Sequence, residues 1–567
     1  MALAHHQQAP IFTLPRELLR DIFTVNTHTY PYSPNFEYRL FPVTITRRSS
    51  QVCRLWRDII LASPMIWGRC LDIDILEHSQ TWADEVLRRA GNSALLAVRG
   101  LGVQTELGHV EQGFARRVIR ECWERIMVLD IEPTWDMLRD AGVQDSLCRP
   151  APNLREFYLY GDAGGGSMPF SSDARLFGGQ ALMLTRLYIG EDVLPQSLVW
   201  PSRQLFESSH LRSLTIRDTV RISGRELLDS CRQMLCLEEL SLNISSLTRV
   251  PEGSTSLSSS VSLPQLESLW IYSSCLEVYP DFLRHLIARP RKRRVLVQCH
   301  SFPVYDSDTL QTYARAIHDT LRRDMSSFFG DTAKPGDINY LEVSLSSDYV
   351  CFAATRHGRM EESDTYTRVV FEGTSLLLPP AAEIQNSLAT IMVSLPLPST
   401  ICEFRFTFFP SPMLDNLPPL SPLFAALGSV RTLRVSLDAL AYITEKMESN
   451  DRVFFPSLKF VALDDMTSFL EPYEPGNASS PPEKLCSFFV LRVYMSHPVE
   501  VLDLTKSILD VGDITVLETF SGLRVVWRRV SRSRRHIRVM EYICGSGDPE
   551  RLLMVRKRTA HNKTDED

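Results

Sequence analysis

The fold of this 567-residue chain is decided by a short phrase, Leu-Arg-Ser-Leu-Thr-Ile at residues 211–216, whose apolar-x-x-apolar-x-apolar pattern recurs along the chain. With 44% apolar residues, roughly fifty such phrases are expected by chance, so the phrase alone means little. Its spacing is informative. The starts at 126, 154, 184, 211, 237 and 266 are 28, 30, 27, 26 and 29 residues apart, and those at 401, 430 and 458 are 29 and 28 apart. A period of about 28 residues is typical of strand–loop–helix repeats.

Each repeat predicts one strand, and a return segment of this length predicts that neighbouring strands are parallel. The middle apolar positions should form a buried column of Leu129, Phe157, Leu187, Leu214, Leu240 and Leu269. The residue that follows each middle apolar position should face outward. These residues are Asp130, Tyr158, Tyr188, Thr215, Ser241 and Trp270. Tyr158, Tyr188 and Trp270 are the candidate aromatic anchors of a substrate-binding face. The alternative is that these aromatic side chains pack against neighbouring loops.

The first seventy residues have the pattern of two helices separated by a proline-containing loop. Residues 11–23 carry apolar side chains at helical spacing, and Pro15 suits a first turn. A second helical run is expected from about Arg48, with Val52 and Trp56 on its apolar face. Periodicity alone leaves two possibilities open, a docking module or a small subdomain that covers the end of the main core.

Three motifs make this region similar to the F-box, in the version abundant in mushroom-forming fungi. They are LPRELLRDIF at 14–23, VCRLWRDII at 52–60 and SPMIW at 63–67. The resemblance implies docking on the Skp-type adaptor of a cullin ubiquitin ligase. The residues at matching motif positions, which would form or support that contact, are Leu14, Pro15, Leu18, Ile22, Val52, Cys53 and Trp56. Because the gap from Phe23 to Val52 is longer than in a compact F-box, the middle helix is expected either within 37–47 or partly replaced by loop.

The remainder resembles the divergent leucine-rich repeats that follow the F-box in many fungal proteins. It departs from them where an asparagine usually follows the strand, since those positions hold Asp162, Asp192, Thr219, Ser245 and Ser274. Repeats between residues 271 and 401 are stretched. The expected fold class is therefore α/β, an N-terminal helical F-box-like module followed by an irregular leucine-rich-repeat-like solenoid with a parallel sheet.

Composition shifts and the repeat pattern together place the expected domain boundaries. They give a flexible N-terminus (1–10), an F-box-like helical domain (11–75), a leucine-rich-repeat-like domain (76–470, irregular around 290–400), a linker loop (471–484), a C-terminal repeat or cap (485–558) and a polar tail (559–567). The linker is rich in glycine, serine and proline, which favour exposed loops.

Composition also argues against several classes of function. The formal charge of −7 does not favour a nucleic acid as partner, and the chain has no apolar run long enough for a membrane span. The 12 cysteines form no CxxC pair, and neither HExxH nor GxSxG occurs, so we expect no enzymatic activity, cofactor or metal. An intracellular protein, cytoplasmic or nuclear, is expected. The basic runs at 289–294 and 528–538 are either solvated faces, an import signal or a site for an acidic substrate surface.

Two functions stay open on this basis. The first is a substrate-recognition adaptor of an SCF-type (Skp–cullin–F-box) ubiquitin ligase, which binds a Skp-type adaptor and the cullin core and holds an unknown protein substrate near the transfer machinery. The second is a ligase-independent, leucine-rich-repeat-like interaction scaffold, in which the N-terminal helices only cap the repeats.

Overall fold

The computed structural model shows a mixed α/β protein with parallel sheets and 13 helices among its described residues. The described residues are 14–27, 41–100, 113–160, 176–190, 210–217, 224–243, 261–273, 286–288, 294–300, 340–345, 349–355, 366–372, 401–408, 420–464, 481–506, 515–530, 537–549 and 552. The chain divides into two compact units, one of residues 1–269 and 284–291, the other of 270–283 and 292–567. This division falls inside the predicted 76–470 domain, and the boundaries predicted at 75 and 470 stay predictions.

The first unit contains ten of these helices and the first strands of the chain. Its helices are α1 (Arg16–Val25), α2 (Pro42–Ser49), α3 (Arg54–Leu61), α4 (Pro64–Gly68), α5 (Ile73–Leu76), α6 (Gln80–Ala90), α7 (Gly113–Cys122), α8 (Trp135–Arg139), α9 (Ala141–Leu147) and α10 (Gly224–Cys231). Its strands are β1 (Leu71–Asp72), β2 (Leu96–Gly100), β3 (Ile126–Ile131), β4 (Glu156–Leu159), β5 (Arg186–Ile189), β6 (Ser213–Ile216), β7 (Glu239–Asn243), β8 (Val261–Leu263), β9 (Ser268–Ser273, whose end belongs to the second unit) and β10 (Leu286–Ala288).

The N-terminal helices differ from the predicted pair in two respects. Helix α1 begins at Arg16 and ends at Val25, whereas the first helix was predicted over residues 11–23. The expected single run from Arg48 is wrong, because Arg48 lies in the last turn of α2 and a new helix begins at Arg54. The break has a local cause: the Ser50 hydroxyl donates to the Arg47 carbonyl oxygen (2.7 Å), a side-chain bond that competes with continued helix. The gap between Phe23 and Val52, for which either a helix within 37–47 or a loop was expected, contains α2, which begins at Pro42 and ends at Ser49.

Strands β1 to β7 form one parallel sheet in chain order. In register, Leu129 pairs with Phe157, then Leu187, Leu214 and Leu240. All are buried, as is Leu269, and the backbone N–H of Ser268 donates to Glu238 O (2.9 Å) to hold the start of β9 beside β7. The predicted parallel strands and buried column are confirmed. The sheet also begins two strands earlier than predicted, because Leu71 and Val98 continue the same column.

Strands β8 and β10 form a separate two-stranded parallel sheet in the first unit. Helix α7 buries Phe114, Val118 and Ile119 and contacts α5 and α9. These residues lie at helical spacing in the sequence, which gives the helix one apolar face.

The second unit is a mixed sheet with three helices among the described residues. Its helices are α11 (Ser421–Ala426), α12 (Leu437–Asn450) and α13 (Pro481–Tyr494). Its further strands are β11 (Arg294–His300), β12 (Tyr340–Leu345), β13 (Tyr349–Thr355), β14 (Tyr366–Glu372), β15 (Glu403–Phe408), β16 (Thr432–Val435), β17 (Phe460–Leu463), β18 (Val501–Asp503), β19 (Arg524–Val530) and β20 (Ile537–Ile543).

Six strands of this unit are parallel to one another, as the strands of the first unit are. In register from β12 through β15 to β19 they form a fully buried column of Leu341, Phe404, Leu433, Val461, Leu502 and Val525. Strand β13 is antiparallel to both β12 and β14, inside the stretch predicted to be irregular. Strand β20 is antiparallel to β19.

Parts of the predicted domain scheme lie outside the described residues, namely the N-terminus (1–10), residues 471–480 of the linker and the tail (559–567). Residues 481–484, predicted as the end of the linker, instead form the first turn of α13. Proline at the start of a helix explains this, because a first-turn residue needs no N–H donor. None of the helices in the described part of the chain is long and apolar enough to cross a membrane.

Candidate functional site

Helix α1 carries two adjacent apolar stripes, of which only one is used in packing. Leu19 and Phe23 are buried against the following helices. The other stripe consists of Leu18, Ile22 and Val25, with 49%, 41% and 64% of their surface exposed. Its spacing of i, i+4 and i+7 places these side chains on one side of the helix. Exposed large apolar groups grouped on one helix face mark an interaction surface more often than isolated ones do. We refer to these three residues as the α1 stripe.

Helix α3 supplies the packing partner of α1. Ile59 and Ile60 are buried, and the ring of Trp56 contacts Phe23. Trp56 itself is only half-buried. The sequence suggests Trp56 as the main apolar contact of this helix, but the structure gives that position to Ile60, which is fully buried.

The seven residues carried over from the F-box motif have unequal surroundings. Pro15, Leu18, Ile22 and Val52 are exposed, whereas Leu14, Cys53 and Trp56 are half-buried. Three further exposed apolar residues were missed, namely Val25, Leu61 and Met65. Continuing the helical spacing from Ile22 by three residues would have found Val25.

The helical module is joined to the first strands by buried contacts. The Trp67 indole Nε1 donates to the Ile60 carbonyl oxygen (2.9 Å), and its ring meets Trp82 edge-on at 6.2 Å. A Cβ at Gly68 would lie 2.5 Å from Leu95 O, so only glycine permits this approach to β2. The helices and the sheet of the first unit therefore share one core.

The second candidate surface lies on the sheet face opposite the buried column, where the half-buried Tyr158 and Tyr188 contact the buried Tyr160. We refer to these three residues as the tyrosine cluster. Ring centroids lie 6.2 Å apart for Tyr158 and Tyr188 and 4.7 Å apart for Tyr160 and Tyr188. The guanidinium carbon of Arg217 lies over the Tyr188 ring, 5.6 Å from the ring centroid. Strand alternation places Tyr160 on the same face as Tyr158, but Tyr160 was not among the predicted residues.

The electrostatics of Tyr158 are set by burial, by Arg186 and by the nearby carboxylates Glu156 and Asp130. Burial raises the pKa of the Tyr158 phenol, while its hydrogen bond with Arg186 acts in the opposite direction. At this face, the register places Tyr158 and Tyr188 opposite each other on β4 and β5. The arrangement offers aromatic surface, hydroxyl groups and guanidinium groups together.

Two of the residues predicted for this face have other surroundings. Asp130 lies on the same sheet face as Tyr158, but it is buried because β3 is covered on both sides. The register sets Asp130 beside Arg99, which in turn lies beside Asp72, so charge alternates across the first three strands. Trp270 belongs to the second unit and is half-buried.

The second unit carries a charged group on the polar side of its sheet. Arg405 Nε lies 2.9 Å from Asp464 Oδ2, and Arg405 Nη1 lies 3.7 Å from Glu342 Oε1. The Tyr340 hydroxyl donates to Glu342 (3.1 Å), and burial together with the Glu342 charge raises the pKa of that phenol. The Arg405 guanidinium faces both carboxylates, and Lys506 Nζ lies 4.0 Å from Asp464 Oδ1, so two cations stand against two carboxylates.

Among the described residues no group of three or more His, Cys, Asp or Glu side chains could hold a metal ion. No protein-family model matches the chain, and no curated protein matches it either.

Proposed function

We propose that this chain is a substrate-recognition adaptor of an SCF-type ubiquitin ligase, with an F-box-like N-terminal module that docks on a Skp-type adaptor. The remaining chain is then a leucine-rich-repeat-like domain that binds a protein substrate. The chemistry of ubiquitin transfer belongs to other subunits, so the proposal requires no catalytic residue, cofactor or metal in this chain. Its mechanism is proximity, because a bound substrate near the transfer machinery reacts as in an intramolecular step.

The observation that carries the proposal is the α1 stripe. Leu18 and Ile22 are motif positions expected to contact the adaptor, and both are exposed although their neighbours Leu19 and Phe23 are buried. Val52, with 59% of its surface exposed, adds a motif position outside α1. Burying such side chains in an interface is favourable by about 25 cal/mol per Å² of apolar surface.

A ligase-independent scaffold is the alternative. The contacts of Trp67 and Gly68 join the N-terminal helices to the sheet in one core, and this shared core favours the scaffold. A module that only caps the repeats needs one buried apolar face. It gives no reason for a second, exposed stripe on α1. The adaptor proposal accounts for both faces of that helix.

For the substrate side we propose the tyrosine cluster as the contact surface. Tyrosine supplies large contact area with few rotatable bonds, and such residues are enriched at binding hot spots. Arg186 and Arg217 beside the rings favour a substrate segment that carries carboxylate groups.

The test is co-purification of a fungal Skp-type adaptor with the full-length chain. Leu18→Asp combined with Ile22→Asp places two carboxylates on the α1 stripe and should abolish co-purification, as should Leu14→Ala with Pro15→Ala. The matched control is Arg16→Ala with Arg20→Ala, which changes the same helix outside the stripe and should retain the adaptor.

Thermal melts of the variants separate a loss of docking from a loss of folding. Substitutions at exposed positions should leave the melting temperature within a few degrees of that of the parent protein. Retention of the adaptor by the Leu18→Asp, Ile22→Asp protein would contradict the docking role and leave the scaffold as the better explanation.

A further inference from the structure

A cleft of about 540 Å³ lies between α2 and the start of α6, inside the first unit. Its apolar lining comes from Val43 on α2, Ile75 on α5 and Trp82 on α6. The volume is in the range of small-molecule sites, about 300–1,000 Å³. Neither the α1 stripe nor the tyrosine cluster contributes to it.

The charge of the cleft is unbalanced. Arg47 and Arg48 line it, and no aspartate or glutamate does. Both arginines are exposed, and within the described part of the chain neither guanidinium group has a hydrogen-bond or ion-pair partner. Neighbouring arginines are paired, for example Arg89 with Glu85 and Arg117 with Asp84. Two unpaired cations at one concavity attract an anion.

The other side of the cleft is formed by Trp82 and the start of α6. Trp82 is half-buried. Its ring meets the Trp67 ring edge-on, with ring centroids 6.2 Å apart and planes at 88°, and this contact sets the direction of the Trp82 ring. Ser79 caps α6 by accepting from the Trp82 N–H (3.4 Å), and no acidic residue occupies the first turn of this 11-residue helix. The positive end of the helix dipole thus adds to the potential of the two arginines.

We propose that this cleft binds a small phosphate monoester whose organic part is flat and apolar. The two guanidinium groups match the two negative charges of the phosphate and can each donate a pair of N–H groups to its oxygens. The flat part would lie against the Trp82 ring, beside Ile75. The size of the concavity favours a free small molecule over a protein segment. This inference is independent of the adaptor role, since it uses no residue of the docking surface.

The test uses the full-length chain and naphthyl phosphate as the probe, with binding measured by isothermal titration calorimetry. Saturable binding at one site is expected. Arg47→Ala with Arg48→Ala should raise Kd by about tenfold or more, because both charge-assisted contacts are lost. Arg20→Ala with Arg54→Ala is the matched control. It removes the same charge from exposed positions that do not line the cleft and should change Kd by less than about twofold.

Two further measurements keep the inference falsifiable. Naphthol, which lacks the phosphate, should bind at least about tenfold more weakly than naphthyl phosphate. If circular dichroism shows that the alanine double variant does not fold, Arg47→Gln with Arg48→Gln replaces it at similar side-chain length. Absence of naphthyl phosphate binding, equal binding by the arginine variants, or equal binding of naphthol would overturn the proposal. So would a phosphotyrosine peptide that binds more than about tenfold tighter, because the cleft would then be a phosphoprotein site.

Discussion

The ring of Phe23 meets the indole of Trp56 edge-on, with ring centroids 5.0 Å apart and planes at 66°. This contact joins α1 to α3 and is part of the buried side of the helical module. The preceding residue, Ile22, lies on the exposed α1 stripe. Two adjacent apolar residues therefore have opposite surroundings, and they give a matched pair for mutation.

Phe23→Ala should lower the free energy of unfolding by about 3–5 kcal/mol, as expected for removal of a buried ring. Ile22→Ala should change it by less than about 1 kcal/mol, since the side chain already contacts solvent. Urea unfolding of the full-length chain, followed by tryptophan fluorescence, measures both. Equal losses in the two variants would show that α1 is packed differently from the arrangement described.

A second pair tests the sheet of the first unit. Leu187 is buried in register between Phe157 and Leu214, whereas Tyr188 is half-buried in the tyrosine cluster. We expect Leu187→Ala to destabilise the protein by about 2–5 kcal/mol. Tyr188→Ala loses ring contacts worth about 0.5–1.5 kcal/mol each and should be milder. Thermal melts of both variants check the order, and a more damaging Tyr188→Ala would assign the cluster to the core instead of a binding surface.

The buried thiols predict a loss of stability at alkaline pH. Burial raises the pKa of Cys70 and of Cys231 to about 12, from an ordinary value of 9.0. Because the folded-state pKa is the higher one, their contribution is complete below about pH 9 and is lost as the pH rises towards about 12. The free energy of unfolding should therefore fall over this range, and it should fall less steeply in Cys70→Ala with Cys231→Ala.

The control for the alkaline effect is Cys236→Ala, since the Cys236 side chain is exposed. This variant should keep the alkaline loss of stability, because Cys70 and Cys231 are still present. Thiol labelling at pH 8 should modify Cys236 quickly and spare Cys70 and Cys231 until the chain unfolds. Rapid labelling of Cys70 in the folded protein would contradict its burial.

Arg492 is a buried arginine whose guanidinium group donates to backbone carbonyl oxygens. Its Nη1 donates to Phe454 O (2.8 Å) and Phe455 O (3.2 Å), and its Nη2 to Leu458 O (3.5 Å). Burial lowers its pKa to about 10. Each buried carbonyl left without a donor costs about 1–3 kcal/mol, so Arg492→Met should destabilise by roughly 3 kcal/mol or more.

Arg452→Met is the control for that variant, because the side chain of Arg452 is exposed in the segment that follows α12. It should change the free energy of unfolding by less than about 0.5 kcal/mol. Urea unfolding of both variants gives the comparison. If Arg492→Met were as stable as the parent, the three carbonyl contacts would not contribute to the fold.

The repeat strands could be predicted from the sequence because their signal is local and periodic. The phrases beginning at 126, 154, 184, 211 and 237 each form a strand, and the middle residue of each lies in the buried column. Strand β2 was missed because the segment Leu95-Leu-Ala-Val-Arg-Gly100 does not match the phrase, although Val98 continues the column. Its assignment depends on pairing with β3, which no local pattern contains.

The candidate surfaces were predicted less completely than the strands. Helical spacing identifies Leu18, Leu19, Ile22 and Phe23 as apolar positions of one helix, but it does not distinguish the packed stripe from the exposed one. That distinction depends on where α3 lies, and α3 is separated from α1 by more than twenty residues. The same holds for Trp56, whose size suggests full burial while Ile60 takes the inner position.

The sequence by itself determined the elements, that is, the strand period, the parallel order in the first unit and the apolar positions of α1, because side-chain alternation and helical spacing are properties of neighbouring residues. The tertiary structure decided which apolar residues stay exposed, that Asp130 is buried, and that Arg47 and Arg48 face Trp82 across one cleft. These relations join residues far apart in the chain. They depend on how elements pack, and burial and charge pairing are fixed only when that packing is complete.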